Sequence, residues 1–284
     1  MVVPPSALAV LLAAVAQISV GETLLAIIVP GILMAILYAV YIIIKCMIQP
    51  SLAPPYMVES TSLRDRILPS VKYLLPIAFI IFMVMGVIFI GVATPSEAAA
   101  TGALSTFILV AIHRRLNWTL IKESFSSTTR LTIQLLLIVA GATGFSQILT
   151  YTGCTEGLVN LAVNLHLSSV WIIIAMMIVG LILGMFMTVA AVVMIVVPVF
   201  MPIIYALGLD PIWFATLLMI NITTGLISPP VGVNLFAMKM VATSETTMDE
   251  IYRAAIPYCY LNVLAIALVM IFPQVALWLP RLMK

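Results

Sequence analysis

The sequence predicts an all-α integral membrane protein built on an inverted internal repeat, with helices that break in mid-span. Three observations predict it. Hydrophobic residues make up 64% of the 284 and charged ones only 8%, more apolar surface than a water-soluble core can hide. The apolar residues fall in long segments separated by polar connectors. Two adjacent prolines interrupt apolar sequence twice, as Pro4-Pro5 and Pro229-Pro230.

Composition also excludes. The net charge of +2 comes from scattered basic residues, which argues against a nucleic-acid partner. Cys46, Cys154 and Cys259 show neither CxxC spacing nor a nearby His, so they read as buried apolar side chains. His113 and His166 lie far apart, and no two carboxylates share a helix face deep in a span. With no catalytic pair, the chain reads as a non-enzyme without an organic cofactor.

The first region is 1–48. MVVPPSALAVLLAAVAQISVGE lacks the basic start of a signal peptide, so it reads as mature structure, with Pro4-Pro5 opening a short half-helix. An apolar span over 22–48 follows, interrupted only by Pro30-Gly31. Residues 49–73 are polar and proline-rich, a surface connector. The next region, 74–130, holds a full span at 74–93 and a helix at 96–112 that stops at His113-Arg114-Arg115. Thr94, Pro95 and Glu97 stand at the N-cap, N1 and N3 positions of a capping box, which explains that acid without a ligand role. NWTLIKESFSSTTR, 117–130, is too polar to cross lipid and reads as an amphipathic helix lying at the interface.

Residues 131–284 form the last region: a span at 131–150, an apolar stretch at 168–206, a broken span at 211–242 and a final helix at 249–279. The 168–206 stretch far exceeds the ~20 residues one crossing needs and fits two only tightly. A re-entrant hairpin turning between Gly184 and Thr188 fits better. Gly180 and Gly184 read as close-packing positions. With 49–73 in the cytoplasm, Lys45, Arg64, Arg66, Lys72, Arg114, Arg115, Lys122, Arg130, Lys239 and Arg253 fall inside. Arg281 and Lys284 fall outside, a positive-inside bias that requires a hairpin that does not cross.

The repeat rests on layout. After Pro4-Pro5 and after Pro229-Pro230 comes a short half-helix, an acidic turn and a long helix bearing a proline; Pro5 to Pro30 is 25 residues, Pro230 to Pro257 is 27. In the orientation above the two half-helices point opposite ways, the arrangement in which broken helices meet near the midplane around a transport site. At the second break the prolines lack N–H groups and clash one turn back, which predicts that the carbonyls of Gly225 and Leu226 are released. Ser228 is expected to cap a half-helix starting at 229. Free carbonyls with Asn221, Thr223, Thr224 and Ser228 would form an uncharged oxygen nest suited to sodium. The positive end of the 231–242 half-helix can face an anionic substrate. Gly232 and Asn234 at this break are candidate substrate or gating positions.

At these residues the sequence resembles the large permease subunit of tripartite ATP-independent periplasmic (TRAP) transporters. The matching segments are VPPS (3–6), GVATPSEAAATGA (91–103), GMFMTVAAVVMIVVPVFMPI (184–203), GLDPIWFATLLMINITTGLISPPVGVNLF (208–236) and FPQVALWLP (272–280). The resemblance implies an elevator-type fold, in which two hairpins and two broken helices move against a scaffold. It implies sodium-coupled import of organic acids, carboxylates or sialic-acid-like sugars, across the bacterial inner membrane. It also implies two partners, a periplasmic substrate-binding protein and a small four-helix membrane subunit, and it places Ser6 beside a second sodium site. Two departures stand out. Thr188 occupies a position where the family typically has an acid, which adds it to the candidate substrate or gating positions. The chain begins at the first broken helix, so the family's early scaffold helices and first hairpin are expected to be missing; alone, it is expected not to transport. The alternative is a truncated, non-transporting assembly subunit.

Overall fold

The computed structural model describes residues 2–52, 71, 74–164, 167–243 and 245–282. Most of the 49–73 connector therefore lies outside the described residues, as do Arg64, Arg66, Lys72, His166 and Lys284. The described residues are helical throughout their regular structure, without a strand. Six segments are long and apolar enough to cross a membrane: Val20–Ile48, Pro95–Ile112, Trp118–Tyr151, Ser169–Phe186, Val189–Ala206 and Met248–Ile271.

The chain divides into two compact units. One comprises residues 1–34 with 128–282, the other 35–127, so the boundaries fall inside two long helices. The second unit holds α4 (Leu74–Phe89) and α5 (Pro95–Ile112). α4 is shorter than the full span expected over 74–93, and it widens to a π turn at Phe82–Gly86. The Thr101 hydroxyl of α5 donates to the Met83 carbonyl inside that turn (2.9 Å), supplying a donor where the regular ladder is disturbed. α5 starts as the sequence predicts, with Thr94 and Glu97 in a reciprocal capping box.

In the first unit α1 (Ala7–Ala16) is followed by α2 (Val20–Ala26) and α3 (Ile28–Ile48). The interruption expected at Pro30-Gly31 falls instead at Ile27. Pro30 is the third residue of α3, where a missing N–H leaves no bond unmade. α6 (Trp118–Tyr151) corrects another expectation. The polar 117–130 stretch and the 131–150 span form one 34-residue helix, since no proline or glycine lies between Asn117 and Gly141 to end it. α7 (Cys154–Asn164) follows α6, and Cys154 is exposed rather than buried.

α8 (Ser169–Phe186) and α9 (Val189–Ala206) are joined by Met187 and Thr188, both extended, within the turn region the sequence indicated. α10 (Pro211–Gly225) is the core of the unit: every residue but Pro211 and Thr223 is buried, and it touches α1, α2, α8, α9 and α12. A helix apolar all round suits either a protein core or lipid, and this one lies in the protein core. In lipid that enclosure brings no hydrophobic gain, so packing and interhelical hydrogen bonds hold it. Trp213 Nε1 donates to the Val269 carbonyl (2.8 Å), and Phe200 meets Phe214 edge-to-face at 6.3 Å. Asp210 caps the start, accepting from the N–H groups of Ile212 and Trp213.

After the break come α11 (Val233–Val241), α12 (Met248–Ile271) and α13 (Gln274–Arg281). The last helix expected over 249–279 is thus two helices. Phe272 leaves helical geometry (φ −117, ψ 77) because Pro273 disfavours it in the residue before.

Candidate functional site

The span at 211–242 is broken. α10 ends at Gly225 and α11 begins at Val233, with residues 226–232 neither helical nor extended into a ladder. α10 is about 22 Å long and α11 about 13 Å, so neither reaches across a ~30 Å core alone. The first break repeats the local layout. Pro4-Pro5 and Pro229-Pro230 are both cis, and a short helix follows each pair. Then Ser19 accepts from Glu22 N–H at the start of the seven-residue α2, which leads into the long α3, and Thr247 with Glu250 opens the long α12 directly.

The bonding at 224–232 differs from expectation. The Gly225 carbonyl accepts from Ser228 N–H (3.1 Å) and the Leu226 carbonyl from Asn234 N–H (3.1 Å), so neither is released. The chain bends back over the end of α10, which brings both donors within reach. Ser228 does not cap the following helix. Its hydroxyl donates back to the Thr224 carbonyl (2.8 Å), and the N-cap of α11 is Gly232, at φ 55, a left-handed conformation that a Cβ would strain. Two side chains of α12 complete the set. Tyr252 donates its hydroxyl to the Pro230 carbonyl (2.7 Å), and Cys259 Sγ lies 3.5 Å from the Ile227 carbonyl and 3.4 Å from the Ser228 hydroxyl.

Asn221, Thr224, Gly225 and Ser228 recur every three or four residues, so they share one face of α10 and its continuation. All four are buried. The Thr224 hydroxyl donates to the Ile220 carbonyl (2.7 Å), as Ser228 does to Thr224. Such back-bonding satisfies hydroxyls in lipid while leaving their oxygen lone pairs available. Asn221 Nδ2 donates to the Met177 carbonyl of α8 (2.7 Å), and its buried Oδ1 has no hydrogen-bond donor among the described residues. Thr223, on the flank of the stripe, is only half-buried and bonds back to α10.

The end of α8 meets this stripe. A Cβ on Gly225 would sit 2.6–2.7 Å from Gly184 backbone atoms, so here two backbones touch. Gly232 N–H donates to the Met185 carbonyl (3.4 Å). The turn between α8 and α9 thus abuts the break. Thr188 in that turn is exposed and makes no cap bond; Asn234, in the first turn of α11, is exposed as well, whereas Gly232 is buried. Ser6 belongs to the other break, where it is buried and caps α1, accepting from Ala9 N–H (3.3 Å). Pro4 is buried and Pro5 exposed; Pro229 is half-buried and Pro230 exposed.

A cavity of about 300 Å³ opens between α8, α10 and α12, walled by residues such as Ile178, Leu181, Val263 and Met270 and floored by Asn221 and Thr224. One amide and one hydroxyl cannot compensate a desolvated carboxylate, so this space does not suit an organic anion. Tyr252, Cys259 and Met185 escape sequence reasoning. A donor-poor double proline does imply that neighbours must supply donors, and the polar groups of IYRAAIPYCY were the place to look.

These features define a multi-pass helical membrane protein organised around an interrupted, buried helix. The family model of the tripartite ATP-independent periplasmic transporter, DctM component, matches residues 1–275, and the chain belongs to that family. It is similar to the C4-dicarboxylate TRAP transporter large permease protein DctM of Pseudomonas aeruginosa, 32% identical over 280 residues, covering 98% of this chain and 64% of that protein. The ectoine TRAP transporter large permease protein TeaC of Halomonas elongata is 26% identical over 278 residues (98% and 64%). The sialic acid TRAP transporter large permease protein SiaM of Vibrio cholerae is 26% identical over 281 residues (99% and 64%). The chain thus spans just under two thirds of the length of these relatives, and their names describe transporter permeases, not enzymes.

Proposed function

We propose that the chain acts within the large permease subunit of a TRAP transporter, importing small organic acids across the bacterial inner membrane with sodium as the coupling ion. The observation that carries this is the uncharged oxygen stripe Asn221–Ser228, buried at a helix break and closed over by the α8–α9 turn. A neutral site suits a monovalent cation, since burying a divalent ion without carboxylates leaves its charge uncompensated. Thr224, Gly225, Ser228 and Asn221 hold one sodium ion, and Ser6 at the first break borders another. The exposed Thr188 and Asn234, with Gly232 at the positive end of α11, form the substrate side. Relatives named for C4-dicarboxylates and sialic acid support a carboxylate substrate.

In this reading the 168–206 hairpin is re-entrant, the 49–73 connector is cytoplasmic, and α5 with neighbouring helices belongs to the scaffold. The broken helices and hairpin move as the transport body, elevator-fashion. A periplasmic binding protein delivers substrate, and a small four-helix membrane subunit completes the assembly. The test is uptake by the complete transporter reconstituted in vesicles, as a function of sodium. Thr224→Ala and Ser228→Ala raise the sodium concentration for half-maximal uptake by about tenfold each, the loss of one ion–oxygen contact. An unchanged sodium dependence in both variants refutes the site.

A further inference from the structure

The strap that crosses the break, Ile227 to Pro230, contains two residues without N–H groups, so it can hold itself in place only weakly. Its first half bonds back to α10, through Ile227 N–H to the Thr224 carbonyl, Ser228 N–H to the Gly225 carbonyl and the Ser228 hydroxyl to the Thr224 carbonyl, and α12 adds the contacts at its two ends. Tyr252 donates to the Pro230 carbonyl at 2.7 Å, and the Cys259 thiol lies 3.5 Å from the Ile227 carbonyl. The same sulfur accepts from the Ser228 hydroxyl at 3.4 Å. Tyr252 and Cys259 are seven residues apart, two turns on one face of α12 and about 10.5 Å along its axis. Tyr252 meets the Pro230 end of the strap and Cys259 the Ile227 end, so one face of α12 holds both ends. Beside them on α12, Ile251 and Ala255 are buried in a small cluster with Leu235 of α11, against which Ile227 and Tyr252 also pack.

We infer that Tyr252 and Cys259 are positioning residues for the ion site. They fix the strap carbonyls and the Ser228 rotamer, so that α12 sets the geometry in which Ser228 presents its oxygen. The Ser228 hydrogen is shared between the Thr224 carbonyl and Sγ, both of which lie away from the oxygen lone pairs that face a cation. Removing either grip lets the strap sample other conformations, and ion binding then has to select the competent one. This inference rests on the sodium site proposed above.

The experiment measures uptake against sodium concentration for the complete transporter in vesicles carrying Tyr252→Phe, Cys259→Ala, Cys259→Ser, Ser228→Ala or, away from the break, Tyr260→Phe. Half-saturation by sodium is expected to rise about threefold to tenfold for Tyr252→Phe and for Cys259→Ala, with maximal uptake at saturating sodium within about twofold of the parent. Cys259→Ser, which keeps a donor and an acceptor, restores the parent value, and Tyr260→Phe does not depart from it. If Ser228→Ala shifts half-saturation while Tyr252→Phe and Cys259→Ala do not, the positioning role is overturned and the site stands. If Ser228→Ala has no effect, the positioning role falls, and the site falls with it when Thr224→Ala is silent as well. A loss of maximal uptake with unchanged half-saturation also overturns it, since that is the signature of damaged folding or transport rather than of ion-site geometry.

Discussion

At the scale of single residues, the contact between Gly184 and Gly225 is the least forgiving point of the site. A methyl group added at Gly225 meets backbone atoms at 2.6–2.7 Å, and backbone cannot swing aside as a side chain can. Gly225→Ala is therefore expected to destabilise the protein by about 1–3 kcal/mol, read as a lower melting temperature in detergent. Gly157→Ala, where nothing lies within 4 Å of the added methyl inside a helix, is the matching control and should be neutral or slightly stabilising. Asn221 supports a second contrast. Its amide faces the Met177 carbonyl at 2.7 Å. Asn221→Asp replaces that donor with an oxygen and should lower the melting temperature, while Asn221→Leu, apolar and similar in size, should cost less. An unchanged melting temperature in both variants would mean that the amide bond to α8 does not organise this face.

Among elements, the break separating α10 from α11 is the device on which the site depends. Replacing both Pro229 and Pro230 by alanine returns two N–H groups and removes the obstacle to a continuous helix, so sodium-driven uptake should fall at least about tenfold in protein that still folds. Undiminished uptake would show that the break needs no prolines. This break was legible because proline acts locally, and so was the cap at Thr94, which needs only neighbouring residues. The partners of the break were not legible. Met177, Met185, Tyr252 and Cys259 reach it from other helices, and no local rule ties position 232 to position 185. The same limit explains the misplaced carbonyls: losing a helical partner at Gly225 and Leu226 is a local consequence, but finding a new one depends on how the chain returns. The joined helix α6 misled for a different reason, since polarity changes sharply near Arg130 although nothing there ends a helix.

For the whole molecule, the distribution of basic residues makes a topological prediction. With a re-entrant α8–α9 pair, cysteines introduced at Arg115 and Arg253 are labelled by membrane-impermeant reagent only from the cytoplasmic side, and one at Arg281 only from outside. Outside labelling at Arg253 would mean that the pair crosses the membrane and that the two breaks do not run in opposite senses. The same topology would make the matching layouts around Pro4-Pro5 and Pro229-Pro230 two halves of one repeat, each supplying neutral oxygens from a helix end rather than charges.

The central claim is that neutral oxygens at 221–228 bind sodium, and the most direct measurement is the melting temperature of the complete transporter titrated with sodium against potassium. A bound ligand adds RT ln(1 + [L]/Kd), about 1.4 kcal/mol at ten times Kd. Sodium alone should give a saturable rise, lost in a Thr224→Ala, Ser228→Ala double variant. An equal rise with potassium, or a sodium effect that survives the double substitution, would contradict it.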